Sequence, residues 1–173
     1  MGTHCLDLLE WVMGTRIREV AGFQDGMTHA YRTPIEDAST VVLRFENGAH
    51  GIVDNYFNLP DAAAQNVFEL HGTRGSVIGQ GTIGQDPTGH LFSILQDQET
   101  GYDAAQIRNA EAARQVYKLE GRPLYGHMIR TFSDCILNDA DPPVPLEDGR
   151  RSVKLVNAVY QAVREKRTVA VAD

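Results

Sequence analysis

The stretch STVVLRFENGAHGIVDNYF, residues 39–57, constrains the fold of this 173-residue chain more than any other. Apolar and polar residues alternate on both sides of Asn47-Gly48, as they do in strands that bury one face. Asn-Gly is the strongest short-range hairpin signal, because both residues tolerate a positive φ. The stretch therefore predicts two antiparallel strands joined by a tight turn.

Further strands are predicted on both sides of this hairpin. They are IREVAGF (17–23), NVFELHG (66–72), SVIGQ (76–80), HLFSILQ (90–96), YKLEG (117–121) and the closing TVAVA (168–172). Because tight connections join most of them, we expect an open, mainly antiparallel sheet. Residues 97–116 fit a loop or a short exposed helix equally well.

Three segments carry apolar residues at helical spacing. They are residues 3–13, with Thr3 as the N-cap and Gly14 as the C′ stop, residues 123–139, and a last helix from about residue 149 to residue 166. Clustered strands with helices segregated from them predict an α+β fold, with the helices packed on one face of the sheet. A chain of this length is expected to form a single domain over residues 1–173.

The charge of the chain narrows the classes of binding partner that it can have. The formal net charge is −7 and acids and bases are mixed along the chain, which argues against nucleic acid and anionic membranes because both need clustered positive charge. A small or neutral ligand fits better. Cys5 and Cys135 match no disulfide or zinc pattern, and no apolar run is long enough for a membrane span. We therefore expect a soluble, cytoplasmic protein.

Three familiar chemical patterns are not supported by the sequence. GQGTIG (79–84) matches the dinucleotide pattern GxGxxG, but that motif must open a helix, and the residues that follow include Pro87 and Gly89. A glycine-rich turn between strands is the better interpretation. The six histidines show no HxxxH or HxH spacing and no GxSxG elbow is present, so the sequence indicates neither a metal site nor a serine nucleophile.

His4 stands in the first turn of the first predicted helix. The helix dipole disfavours an imidazolium there by about 0.3–1 kcal/mol, which favours the neutral ring that can accept a proton. This suits a general base. On the residues alone, however, a histidine with no role beyond occupying a first turn remains the simpler interpretation.

Four segments together resemble one enzyme family. GTHCLDLLEWVMG (2–14) is similar to the segment DxGxHxxDLLxWLxG of the glucose-fructose oxidoreductase, inositol dehydrogenase and MocA family of NAD(P)-dependent sugar and polyol dehydrogenases. The resemblance continues in the same order through residues 35–53, 68–77 and 146–171. It covers nearly the whole chain and corresponds to the family's C-terminal domain, which has an open, mainly antiparallel sheet.

The resemblance implies roles for particular residues. His4 falls on the family histidine that, with a lysine of a Glu-Lys-Pro motif, handles the proton of a substrate hydroxyl while hydride passes to the nicotinamide. Asp7 falls on the second acidic position of the motif, where a charge that favours the helix dipole is at least as good an explanation. Asn55 and Asn58, near the hairpin ends, are weaker substrate-binding candidates.

The departures from the family pattern limit these roles. The lysine motif, the dinucleotide fingerprint and the motif aspartate are absent from the sequence, and the aspartate would fall just before Met1. We therefore expect the substrate-binding and oligomerisation domain of a longer parent, in which Met1 is internal and NAD or NADP is bound elsewhere. The isolated chain is expected to be inactive and to bind no cofactor or metal. The alternative is a stand-alone, non-catalytic binding or assembly module of the same fold.

An oligomer is also expected. Val41, Leu43 and Phe45 alternate with Val42, and Ile52 with Val53, so apolar residues fall on both faces of the hairpin. Helices on one side would leave the other face as a large apolar patch. The sequence thus predicts a homodimer or a dimer of dimers through the open sheet face, or else a cover formed by residues 97–116.

Overall fold

The computed structural model describes residues 2–29, 35–84, 88–96, 113–121 and 123–172. In chain order its elements are α1 (Gly2–Met13), β1 (Ile17–Asp25), β2 (Ala38–Phe45), β3 (His50–Tyr56), a 3-10 turn (Asp61–Ala63), β4 (Val67–Gly72), β5 (Gly75–Gln80), β6 (His90–Leu95), β7 (Arg114–Tyr117), α2 (Leu124–Leu137), α3 (Leu146–Glu165) and β8 (Val169–Ala170). The chain forms two compact units, Met1–Ala62 with Asp141–Asp173, and Ala63–Ala140.

The first unit contains an antiparallel sheet in the order β3-β2-β1-β8. Its central hairpin is the one predicted from the sequence, and Gly48 has a φ of +86°. Asn47 keeps a negative φ and instead accepts a hydrogen bond from the Ala49 amide at 3.0 Å. The turn therefore uses only the glycine for its left-handed position.

One face of this sheet is buried under α1 and α3. The core joins four helix residues to the alternate residues of the strands: Leu6, Leu155, Val159 and Ala162 with Val20, Val41, Leu43, Phe45 and Val53. The opposite face carries exposed apolar side chains, including Val42 and Ile52, which pair across β2 and β3. The expected alternation of β2 and β3 is confirmed.

The second unit contains an antiparallel sheet in the order β4-β5-β6-β7 together with α2. Ser93 on β6 is buried and its hydroxyl lies 2.9 Å from the Tyr117 hydroxyl on β7. α2 has no buried residue, and its apolar side chains, among them Phe132 and Ile136, are exposed.

The α+β class with antiparallel sheets and helices is confirmed, and two differences from the sequence analysis concern pairing. The described strands divide into two four-stranded sheets, and the 3-10 turn lies between β3 of the first and β4 of the second along the chain. The strand expected at 117–121 lies at Arg114–Tyr117, where it pairs with β6. Residues 97–112 lie outside the described residues, so their structure and the cover that they were predicted to form stay untested, as does the single domain.

Helix ends also differ in detail. α1 begins at Gly2, so Thr3 lies inside the helix rather than at its N-cap, while Gly14 ends it with a φ of +60° as expected. α3 begins at Leu146, three residues before the expected start, because Pro145 occupies the N-cap in an extended conformation. β8 is short, since only Val169 and Ala170 pair with β1.

Candidate active site

His4 lies in the first turn of α1 and its side chain is exposed. The start of α1 lies beside the end of β3: a methyl group added at Gly2 would come within 3.1 Å of the Asn55 amide nitrogen. The structure therefore brings one predicted site residue, Asn55, next to the helical turn that carries another, His4.

The other two predicted residues are placed differently. Asp7 is exposed and faces α3, where the Ser152 hydroxyl donates to its Oδ1 at 3.4 Å. Asn58 is half-buried in the loop after β3 and makes no side-chain hydrogen bond within the described residues. The geometry thus associates Asp7 with the helix pair, and only Asn55 directly with the first turn of α1.

A buried ion pair fixes the second half of α1. Arg151 on α3 is 6% exposed, and its guanidinium donates to both carboxylate oxygens of Glu10 at 2.8–3.3 Å. It also donates to the carbonyl oxygens of Ile17 and Ala172 at 2.7 and 2.8 Å, while Glu10 accepts the Ile17 amide at 2.7 Å. Together these hydrogen bonds hold α1 against α3 and against the start of β1.

A second polar cluster lies at the sheet end where β1 ends and β2 begins, and the sequence analysis missed it. The carboxylate of Asp37 is buried and accepts the amides of Met27, Thr28 and His29 at 2.7–2.8 Å. These hydrogen bonds, the one from Met27 first, hold the pKa of Asp37 well below its usual range. The Asp37 carbonyl oxygen accepts the Phe57 amide at 2.7 Å, so the cluster also fixes the end of β3.

This cluster gave no sequence signal because its donors are backbone amides. The His29 Nδ1 lies 3.1 Å from the Asp37 carboxylate, and the His29 ring packs against Phe57 with 5.8 Å between centroids. Asn55 stands two residues before Phe57, so the loop after β1, the end of β3 and the start of α1 meet at the same end of the sheet.

The described residues of the GQGTIG segment do not have the geometry of a dinucleotide-binding motif. Residues 81–84 of GQGTIG form a turn after β5 rather than a helix start, and Pro87 lies outside the described residues. A Cβ at Gly79 would overlap the Thr82 hydroxyl, so this glycine makes room for a side chain of its own loop. Among the described residues no group of three His, Cys, Asp or Glu side chains could hold a metal ion.

The sequence matches the model of a known family over residues 1–171, nearly its full length. That model is described as the C-terminal alpha/beta domain of an oxidoreductase family. This chain belongs to that family. The resemblance of its first helix, hairpin and last helix to the family is therefore confirmed.

Two curated relatives are sugar or polyol enzymes by name. The chain is 26% identical over 175 residues to a myo-inositol 2-dehydrogenase of Thermotoga maritima, covering 98% of this chain and 47% of the relative. It is 29% identical over 128 residues to a 1,5-anhydro-D-fructose reductase of Ensifer adhaerens, covering 74% of this chain and 33% of the relative. The chain thus spans half or less of the length of these relatives.

Solved structures show the same fold. The aldose-aldose oxidoreductase of Caulobacter crescentus complexed with glycerol matches 98% of this chain and 45% of its own, with a TM-score of 0.76 and 19% identity. The WlbA dehydrogenase of Bordetella pertussis in complex with NADH and UDP-GlcNAcA matches 99% of this chain and 44% of its own, with a TM-score of 0.66 and 18% identity.

In the described part of this chain, no helix has the length and apolar character of a membrane span.

Proposed function

We propose that this chain is the substrate-binding half of an NAD(P)-dependent oxidoreductase that acts on a hydroxyl group of a sugar or polyol. Membership of the oxidoreductase family over residues 1–171 is the observation that carries the proposal. The names of the two curated relatives support the substrate class. A cytoplasmic location is part of the proposal, and neither Cys5 nor Cys135 forms a disulfide, which agrees with a reducing compartment.

His4 is proposed as the base of this reaction. Its imidazole is exposed at the start of α1, where a substrate hydroxyl can reach it. A neutral ring takes the proton of a substrate hydroxyl as that carbon is oxidised, and returns it in the reverse direction. NAD(P), held by another part of the parent protein, supplies the hydride acceptor.

Asn55 is proposed to orient the substrate. It lies on the face of the sheet that α1 covers and next to Gly2, so its amide is held at the start of the helix that carries His4. An amide both donates and accepts hydrogen bonds, as a polyol hydroxyl requires. Asp7 and Asn58 remain weaker substrate-binding candidates.

Replacement of His4 by alanine in the full-length parent tests the proposal. Removal of a positioned base should lower kcat by about 10²–10⁴-fold with a small change in KM, since proton transfer contributes mainly to the transition state. Initial rates of NAD(P)H formation at 340 nm give both constants. An Asp61→Asn variant in the exposed 3-10 turn is the control for expression and folding. An unchanged kcat in the His4→Ala variant would remove His4 from the reaction.

The 173-residue chain alone is proposed to be inactive and to bind no nicotinamide cofactor tightly. In the described residues the glycine-rich segment leads from β5 to β6 and not into a helix, which supports this, because a pyrophosphate needs bare amides at a helix N-terminus. Isothermal titration with NADH and NADPH should give no heat of binding at micromolar concentrations. Micromolar affinity for either cofactor would contradict the proposal.

We also propose that the chain forms a homodimer, or a dimer of dimers, through the open face of the β3-β2-β1-β8 sheet. Phe23, Val42 and Ile52 are 76%, 47% and 66% exposed on that face. Glu19 and Arg44, which form an ion pair at 3.2 Å, border the apolar residues. Such a surface can pair with its own copy about a two-fold axis.

A further inference from the structure

A cleft of about 490 Å³ lies on the first unit, between the second half of α1 and the start of α3. Its volume is within the range of ordinary small-molecule sites. The buried Glu10–Arg151 pair lies at its base, and Pro143 and Val144 form part of its wall. Trp11 completes it seven residues beyond His4, about 10 Å along the helix. Asp7, a weaker substrate-binding candidate, lies at the edge of the cleft nearest His4, whereas Trp11, Arg16 and Asp148 lie beyond it toward the end of α1 and the start of α3.

Only some of the polar side chains that line this cleft have an ion-pair or hydrogen-bond partner. Glu10 and Arg151 neutralise each other. The side chains of Arg16 and Asp148 have no partner within the described residues, and the Asp7 carboxylate has a single long contact with Ser152 at 3.4 Å. Apart from Asp7, the cleft thus offers one guanidinium and one carboxylate, those of Arg16 and Asp148, that a ligand can bind.

Trp11 adds a large apolar surface to these groups. Its side chain lines the cleft although the residue is 80% exposed, which is unusual for the only tryptophan of the chain. An indole is a flat, apolar surface that gains stability when a second flat surface covers it. A ligand that fits the cleft should therefore combine one apolar face with several hydrogen-bonding groups at its edge.

We propose that this cleft binds the ring of a neutral saccharide, at a site distinct from the substrate site at His4. One face of a pyranose ring consists of C–H bonds and can cover the indole of Trp11. Each ring hydroxyl both donates and accepts, so it can donate to Asp148 and accept from Arg16. Arg16, Asp7 and Asp148 together carry a net charge of −1, which disfavours an anionic ligand, while the flat indole of Trp11 and the opposite charges of Arg16 and Asp148 suit a ring with hydroxyls at its edge. This site does not depend on the oxidoreductase function proposed above.

Tryptophan fluorescence of the 173-residue chain tests this site directly, because Trp11 is the sole tryptophan. Titration with D-glucose should change the emission in a saturable manner, with a dissociation constant on the order of millimolar for so small a ligand in an open cleft. Sorbitol has a similar set of hydroxyls but no ring, and should cause no saturable change. His4→Ala should bind glucose like the unmodified chain, which separates this cleft from the proposed substrate site.

Asp148→Asn and Arg16→Gln should each weaken glucose binding by about tenfold or more, since each removes a charge-assisted hydrogen bond. Asp61→Asn, which changes an exposed carboxylate outside the cleft, should have no effect. Circular dichroism checks that each variant is folded. The proposal is overturned if glucose and sorbitol give the same unsaturated response, if both cleft variants bind normally, or if choline saturates the signal at lower concentration than glucose.

Discussion

Asp37 shows how one side chain can organise a loop that the sequence leaves undetermined. Three successive amides, those of Met27, Thr28 and His29, point at its buried carboxylate. Donors to the charged form lower the pKa of a carboxyl group, and the direction of the shift at Asp37 agrees. Because this loop follows β1 and contacts the end of β3 through His29 and Phe57, we expect the ionised Asp37 to stabilise the end of the sheet near Asn55.

The stability of the chain should therefore depend on pH through Asp37. The pKa of Asp37 is lower in the folded chain than in the unfolded chain, where an aspartate has a pKa of about 3.9. The stabilisation is thus fully present above that value and is lost as the pH falls below it. Urea unfolding should find Asp37→Asn less stable than the unmodified chain at pH 7, with the difference shrinking at pH 3. Asp61→Asn is the matched control, and a pH-independent difference would contradict this role.

At the scale of single residues, the sequence predicted the position of His4 but not its surroundings. The helical spacing of residues 3–13 placed His4 in a first turn, and the structure confirms this. The neighbourhood of Asn55 and Gly2 depends on how α1 crosses β3, a contact between residues more than 50 positions apart. Local spacing carries no information on such a contact.

Among the elements, α1 and α3 are joined by the network of Arg151 and Glu10. The guanidinium reaches a carboxylate on α1, a carbonyl at the start of β1 and the carbonyl of Ala172 after β8. Two helices and one end of the β1–β8 pair, where Ile17 and Ala172 lie, are therefore joined by one buried charge. Removal of one partner leaves the other charged and without its partner in a nearly dry position.

Arg151→Met should destabilise the first unit by about 3–5 kcal/mol, because Glu10 then remains buried without its cation. Glu10→Leu combined with Arg151→Met should cost less than Arg151→Met alone, since no charge is left buried. Arg164→Met is the matched control, because Arg164 is exposed near the end of the same helix. Urea denaturation followed by circular dichroism measures all three, and a loss below about 1 kcal/mol in Arg151→Met would contradict the role of the pair.

Most elements could be predicted from local patterns, whereas their assembly could not. The hairpin, α2 and α3 follow from alternation, turn residues and helical spacing, and their bounds agree within a few residues. The strand at Arg114–Tyr117 was misplaced because its residues alternate weakly and its position is set by pairing with β6. The division into two sheets depends on which strands meet, and short-range periodicity does not specify this.

For the whole molecule, the open face of the first sheet is the feature that argues most strongly for an oligomer, because a monomer would leave its apolar side chains exposed to water. Val42 lies between Ala21 and Ile52 in register, so an apolar row crosses three adjacent strands. Phe23 extends this apolar surface toward the end of β1. Soluble monomers seldom expose a continuous patch of this kind, and a self-complementary pairing would remove it from water.

Ile52→Glu should therefore convert the chain to a monomer at micromolar concentration, because a dimer would bury the new carboxylate opposite its symmetry-related apolar surface. Light scattering should give twice the 19.1 kDa chain mass for the unmodified protein and the single-chain mass for the variant. Ile136→Glu is the matched control, since Ile136 is 67% exposed on α2, much as Ile52 is 66% exposed on β3. It should remain a dimer, which distinguishes pairing through the sheet from association through the apolar side of α2. A monomeric unmodified chain, or a dimer that only Ile136→Glu disrupts, would show that the open sheet face is not the interface.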